Sequence, residues 1–140
     1  MSTLFGRELE QRQLVELLNE ARLATARSIV ITGEPGIGKS ALLDWISRQA
    51  AGCRVLHVRG HEADMTTSHL VLRQLLRPII EHLDCLDDHL AENLRSAIGL
   101  TGTACNEGLV PLAALELLSS ASDTSPIVLL LDDAHWFDHA

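Results

Sequence analysis

Gly33-Glu34-Pro35-Gly36-Ile37-Gly38-Lys39-Ser40 is the stretch whose reading decides the fold of this 140-residue chain. Before it stands Ser28-Ile29-Val30-Ile31-Thr32, a short β-branched apolar run; after it, Ala41-Leu42-Leu43-Asp44-Trp45-Ile46 has helical spacing. A strand, a glycine-rich loop and a helix in that order are what a phosphate-binding loop requires. Glycines let the backbone curl so that successive N–H groups point into one concavity, and the helix adds its unpaired N–H groups and positive dipole end. From average residue usage the pattern GxxxxGK[ST] arises by chance in roughly one in a few hundred chains of this length. The plain alternative is a glycine-rich turn that only joins strand to helix. With the loop as a phosphate cradle, Gly33 to Ala41 line the nucleotide, Lys39 reaches the β- and γ-phosphates, and the Ser40 hydroxyl ligates Mg²⁺.

A second motif lies far along the chain. Ile127-Val128-Leu129-Leu130-Leu131 is wholly apolar and ends in Asp132-Asp133. A buried strand does not tolerate adjacent carboxylates along its length, but its C-terminal tip opens on the ligand crevice. Asp132 is therefore expected to hold the metal opposite Ser40, and Asp133 to polarise the attacking water. Alone, hhhhDD is a weak pattern; after a phosphate loop it is a strong one.

Bulk properties set limits. With 46% hydrophobic and 21% charged residues the composition is that of an ordinary globular domain with a real core. The net charge of −8 argues against this segment itself gripping nucleic acid. Cys53, Cys85 and Cys105 form no CxxC and read as reduced packing thiols rather than a disulfide frame or a zinc site. The pairs His57/His61 and His135/His139 have no completing ligands, so Mg²⁺ with the nucleotide is the metal expected. No signal-peptide pattern and no membrane-length apolar run are present, which predicts a cytoplasmic protein with no membrane partner.

Taken in order, the spacing predicts a helix after Gly6 with Leu9, Leu14, Val15, Leu17, Leu18 and Leu23 as its stripe. A buried strand at Ser28–Thr32 and a helix from Lys39 to about Ala51 follow, with Trp45 as a core residue. Arg54–Arg59 reads as a strand at or near a sheet edge, with His61 and Glu62 in the loop at its tip, near the γ-phosphate or simply solvated. Thr67 or Ser68 is expected to cap a helix through Leu83 that Pro78 kinks or splits. Asp87 caps a helix closed by Gly99, and Thr101–Gly108 reads as a mobile loop. A helix from about Val110 to Ser120 packs through Leu112, Leu115, Leu118 and Ala114, with Pro111 in its first turn.

With both motifs in place the chain resembles the N-terminal part of the STAND/AAA-type P-loop ATPase module that opens large LuxR-type bacterial transcriptional regulators similar to the maltose-operon activator. Phe5-Gly6-Arg7-Glu8, Thr32–Ser40, Leu70–Ile80 and Leu129–Asp138 carry the likeness. It implies an α/β fold, an ASCE-type P-loop NTPase three-layer sandwich with a mostly parallel sheet of order 5-1-4-3-2, incomplete at the C-terminus. In that order the Walker A (33–40) and Walker B (127–133) strands are not neighbours. The resemblance further implies that Phe5, Gly6 and Arg7 lie against the adenine, and that ATP and ADP set open, multimerising and closed states. DNA is contacted through a C-terminal helix-turn-helix absent from this chain. Residues 1–140 are thus expected to be the N-terminal portion of one ATPase domain, binding ATP weakly and hydrolysing it slowly or not at all when alone.

An AAA+ motor-type ATPase shares both motifs. His135-Trp136 after the acidic pair, and aspartate rather than glutamate at 133, favour the regulator, because the shorter side chain reaches the water poorly and slows turnover. A small-molecule kinase needs an acceptor pocket and lid arginines, for which no candidate segment exists.

Overall fold

The computed structural model describes residues 6–137. Among the described residues five α-helices, α1 (Glu8–Arg22), α2 (Lys39–Gln49), α3 (Leu70–Leu76), α4 (Asp88–Ala97) and α5 (Val110–Ser122), accompany two strands, β1 (Arg54–Arg59) and β2 (Ile127–Asp132). The strands pair in parallel from Arg54↔Ile127 to Arg59↔Asp132, so the acidic end of β2 lies beside the basic end of β1. Side chains alternate across this ribbon. Val55, Val128 and Leu130 face α1 and α2, packing with Leu14, Leu18, Leu42 and Ile46. Leu56 and Ile127 face the other way, into a larger core of α3, α4, α5 and the 3₁₀ segment Arg77–Cys85. The arrangement is helix, sheet, helix.

Local chemistry explains most boundaries. Pro78 sits in the first turn of Arg77–Cys85, where α-helical winding gives way to 3₁₀ after Leu76. The Asp87 carboxylate accepts from His89 N–H at 3.0 Å and starts α4, and Gly99, at φ +77°, ends it. Arg22 closes the first layer by donating to the carbonyls of Gln49 (3.1 Å) and Ala51 (2.9 Å) at the negative end of α2.

Four expectations are corrected. Ser28–Thr32 forms no strand: among the described residues nothing pairs with it, and Ile29 and Val30 are exposed while Ile31 alone reaches the α1/α2 core. A strand exists only through ladder partners, and β2 pairs with β1. In α1, Leu14 and Leu18 are buried but Leu9 and Leu23 are exposed, because the stripe that meets α2 is narrower than the run of leucines. The cap of α3 is His69, in the left-handed region at φ +58°, and not Thr67 or Ser68. In α5 the packing face is Val110, Ala113, Ala114, Leu117 and Ala121, with Leu112 and Leu115 exposed. Leucines on several sides blur the period there, and the alanines decide the face because they allow close approach to α4 and Arg77–Cys85.

The α5 face gives a direct test. Leu117→Ala, at a fully buried site, is expected to cost about 2–5 kcal/mol, whereas Leu115→Ala on the exposed side stays within about 0.5 kcal/mol of the parent. Urea unfolding monitored by circular dichroism distinguishes them, and equal losses would place the face wrongly.

Candidate nucleotide site at the tips of the two strands

The glycine-rich loop has the backbone its composition demands. Gly36 and Gly38 adopt φ +81° and +96°, and Gly38 ends the loop as the left-handed residue from which α2 starts. Gly33, Glu34, Pro35, Gly36, Ile37 and Ala41 are exposed; Gly38, Lys39 and Ser40 are half-buried. The Lys39 ammonium is folded onto its own loop, donating to the carbonyls of Gly33 (2.9 Å) and Glu34 (3.0 Å). Arg7, from the turn before α1, donates to the Ile37 carbonyl and lies near Glu10 at 3.8 Å. The Gly6-Arg7 motif therefore reaches the loop; Phe5 lies outside the described residues.

The second motif meets the first through Asp132. Its carboxylate is 3% exposed, and the nearby Ser40 hydroxyl is one of the groups that favour its charged form. The Arg59 guanidinium donates to Asp132 Oδ2 through both Nε (2.8 Å) and Nη2 (2.5 Å), and Asp133 N–H donates to Oδ1 at 3.1 Å. Burial pushes the Asp132 carboxyl up, but Ser40, Arg59 and the Asp133 amide together hold it below the usual carboxylate range. Asp133 itself is half-buried in the left-handed region at φ +51°, turning the chain into the short 3₁₀ segment Ala134–Trp136.

The loop after β1 packs beside the turn after β2. Gly60 N–H donates to the Asp132 carbonyl at 2.9 Å, and a Cβ on Gly60 would stand 2.6 Å from the Asp133 carbonyl oxygen. Only glycine fits there. His61 and Glu62 are exposed, and the buried Asp64 carboxylate accepts from the His61 amide at 2.8 Å, so these residues build the turn. An open cleft of about 290 Å³ lined by Asp44, His57 and Arg59 adjoins Arg59 on the α2 side.

Sequence reasoning passed over Arg59, Gly60 and Asp64. Arg59 was legible in principle, since pairing the two predicted strands in parallel from their first residues sets it opposite Asp132. For Gly60 and Asp64 no comparable signal exists, because their roles depend on how two loops pack.

A family model for the AAA ATPase domain matches residues 3–140. The chain belongs to that family. No curated protein and no solved structure matched it. The AAA domain is an ATP-binding ATPase module of the P-loop class, and its members bind ATP or ADP with Mg²⁺. In this AAA domain no helix among the described residues is long and apolar enough to cross a membrane. The oxygen donors that meet at the strand tip, a serine hydroxyl and an aspartate carboxylate, are of the hard type that Mg²⁺ takes. One of the two carboxylate oxygens already carries the Arg59 cation.

The depressed Asp132 carboxyl fixes the sign of one pH effect. Its native affinity for protons is below that in the unfolded chain, so its contribution is complete above the unfolded pKa and is lost as pH falls through the native one. In urea titrations between about pH 7 and pH 2, Asp132→Asn is expected to show a shallower loss of midpoint on acidification than the parent. Parallel curves would show that the Arg59–Asp132 pair contributes nothing to acid sensitivity.

Proposed function

We propose that this AAA domain is the nucleotide-switched, slowly hydrolysing ATPase part of a signal-responsive LuxR-family transcriptional regulator. The observation that carries the nucleotide site is the approach of the Ser40 hydroxyl to the buried Asp132 carboxylate, which sets the phosphate-loop helix beside the tip of β2 and lowers the Asp132 pKa. In this reading Gly33–Ala41 cradle the phosphates, Lys39 leaves the Gly33 and Glu34 carbonyls for the β- and γ-phosphates, and Ser40 and Asp132 hold Mg²⁺. Asp133 orients the attacking water, and Phe5, Gly6 and Arg7 border the adenine. Support for a switch over a motor comes from aspartate at 133 and from the His135-Trp136 pair, whose rings lie tilted at 45° with centroids 4.8 Å apart. The proposal places residues 1–140 as the N-terminal portion of one ATPase domain, with self-association and DNA contact belonging to the full-length cytoplasmic regulator. A motor-type AAA+ ATPase is the second reading, and turnover separates the two: a motor hydrolyses ATP steadily, a switch retains it.

Arg59 has a definite place in this scheme. It donates to Oδ2 of Asp132, so a Mg²⁺ held by that carboxylate would compete with Arg59 for it. Such competition couples metal and arginine by mass action. Exchange of Arg59 for Mg²⁺ at Asp132 would accompany loading of the site.

Titration of the 140-residue chain with a fluorescent ATP analogue and Mg²⁺ tests the site. Lys39→Ala removes a charge-assisted contact of about 1.5–3 kcal/mol and is expected to weaken binding roughly 10- to 100-fold; unchanged affinity would remove the assignment. In the same assay Arg59→Gln is expected to lower the Mg²⁺ concentration needed for half-maximal binding by at least about fivefold. A Mg²⁺ requirement equal to the parent's would show that arginine and metal do not compete.

A further inference from the structure

We propose that His69, Cys105 and Glu107 form a binding site for a divalent transition metal, zinc by the chemistry of its ligands. The site stands apart from the nucleotide-binding reading and does not rest on it. One atom from each side chain, an imidazole nitrogen, a thiol sulfur and a carboxylate oxygen, falls within a sphere where all lie within 4.8 Å of one another. The His69 Nε2–H donates to Glu107 Oε2 at 2.7 Å, and the Cys105 S–H donates to Glu107 Oε1 at 3.4 Å. The two oxygens of one carboxylate thus accept from a nitrogen and a sulfur that are both zinc ligands once deprotonated.

Four-coordinate zinc, with bonds of about 2.0–2.3 Å, holds its ligand atoms roughly 3.3–3.8 Å apart. The observed separations bracket that range, so the change needed is side-chain rotation. Glu107, whose side chain is 65% exposed, has the room to make it. The donor set of one soft sulfur, one imidazole and one carboxylate selects zinc over Mg²⁺ or Ca²⁺, which take oxygens. Three protein ligands leave a fourth position for water.

The backbone is fixed on both sides of the cluster. His69 is buried and held in the left-handed region at the start of α3. Across from it, Asn106 stands between the other two ligands and is clamped by the buried Asn93 of α4. Asn93 Oδ1 accepts from the Asn106 N–H at 2.6 Å, and its Nδ2 donates to the Asn106 carbonyl at 3.1 Å. Asn106 Oδ1 in turn accepts from Gly108 N–H at 3.0 Å. The Cys105-Asn106-Glu107 segment is therefore anchored at its middle residue, the kind of support a ligand pair needs to present both donors together. Of the predicted loop Thr101–Gly108, residues 101–106 have no regular structure, and Glu107 and Gly108 enter the 3₁₀ segment Glu107–Leu109. A reactive-nucleophile role for Cys105 is disfavoured, since burial and the Glu107 carboxylate both push its thiol up.

The test is an anaerobic Co²⁺ titration of the reduced, chelator-treated 140-residue chain. One equivalent is expected to give a thiolate-to-cobalt charge-transfer band in the near ultraviolet with intense visible absorption of four-coordinate cobalt, both removed by one equivalent of zinc. Cys105→Ser is expected to erase the charge-transfer band, while Cys53→Ser and Cys85→Ser keep it. Glu107→Gln, at an exposed position that leaves folding intact, is expected to weaken zinc at least about tenfold, the smallest loss that even an outer partner's removal produces. In the unmutated chain, zinc is expected to protect Cys105 but not Cys85 from alkylation, read by peptide mass spectrometry. Absence of a thiolate band, its survival in Cys105→Ser, zinc affinity unchanged in Glu107→Gln, or equal alkylation of Cys105 with and without zinc would each overturn the site.

Discussion

The structure depends on one carboxylate. Asp132 ends the most apolar strand of the chain, and a charge in that position is sustained only if its neighbours neutralise and hydrogen-bond it. The parallel register does this, setting Arg59 at the tip of β1 opposite Asp132 at the tip of β2. Ser40 adds a hydroxyl from α2, and the Asp133 amide adds a backbone donor. Three separate segments are thereby drawn to one point: the phosphate-loop helix, the end of β1 and the turn after β2. A register slip of one residue would send every side chain of β2 to the wrong face and break all of these contacts together.

The same constraint explains why the two cores differ. On the α1/α2 side the sheet offers only Val55, Val128 and Leu130 before its polar end begins, and the layer is thin. On the opposite side α3, α4, α5 and Arg77–Cys85 assemble a larger core around Leu56, with Arg54 paired to Glu81 at its edge. Leu129 and Leu131, on that face of β2, remain exposed. The mixture of a well-built helical layer and an open sheet face is what a two-stranded ribbon permits.

Much of this was legible in the sequence, and the residues show why. Arg54–Arg59 and Ile127–Asp132 have the apolar, β-branched patterns of strands, and both fall where expected. The Pro78 break, the Asp87 cap and the glycine-rich loop follow from local stereochemistry, which sequence carries directly. Ser28–Thr32 has equal strand character by composition, yet its state depends on a partner, which composition does not encode. In α5, Ala114 and Leu118 lie against the core as the spacing predicts, but Leu112 and Leu115 do not, because the small Ala113 and Ala121 fit the contact while the larger leucines only weigh more in hydrophobicity. Of the site, the loop, Lys39, Ser40 and Asp132 were readable from spacing. Arg59 required the pairing of two strands about seventy residues apart, and the His69–Cys105–Glu107 cluster required three segments of no recognisable motif to meet.

The close approach at Gly60 has a mechanical consequence. With its amide tied to the Asp132 carbonyl and no space for even a methyl group against Asp133, the two post-strand turns form a single rigid joint. Any reorientation of the peptide after Asp132 must carry the His61–Asp64 turn with it, and through that turn the path leading into α3. The seam between the two turns is thus set by backbone atoms, so its spacing does not depend on which side chains flank it.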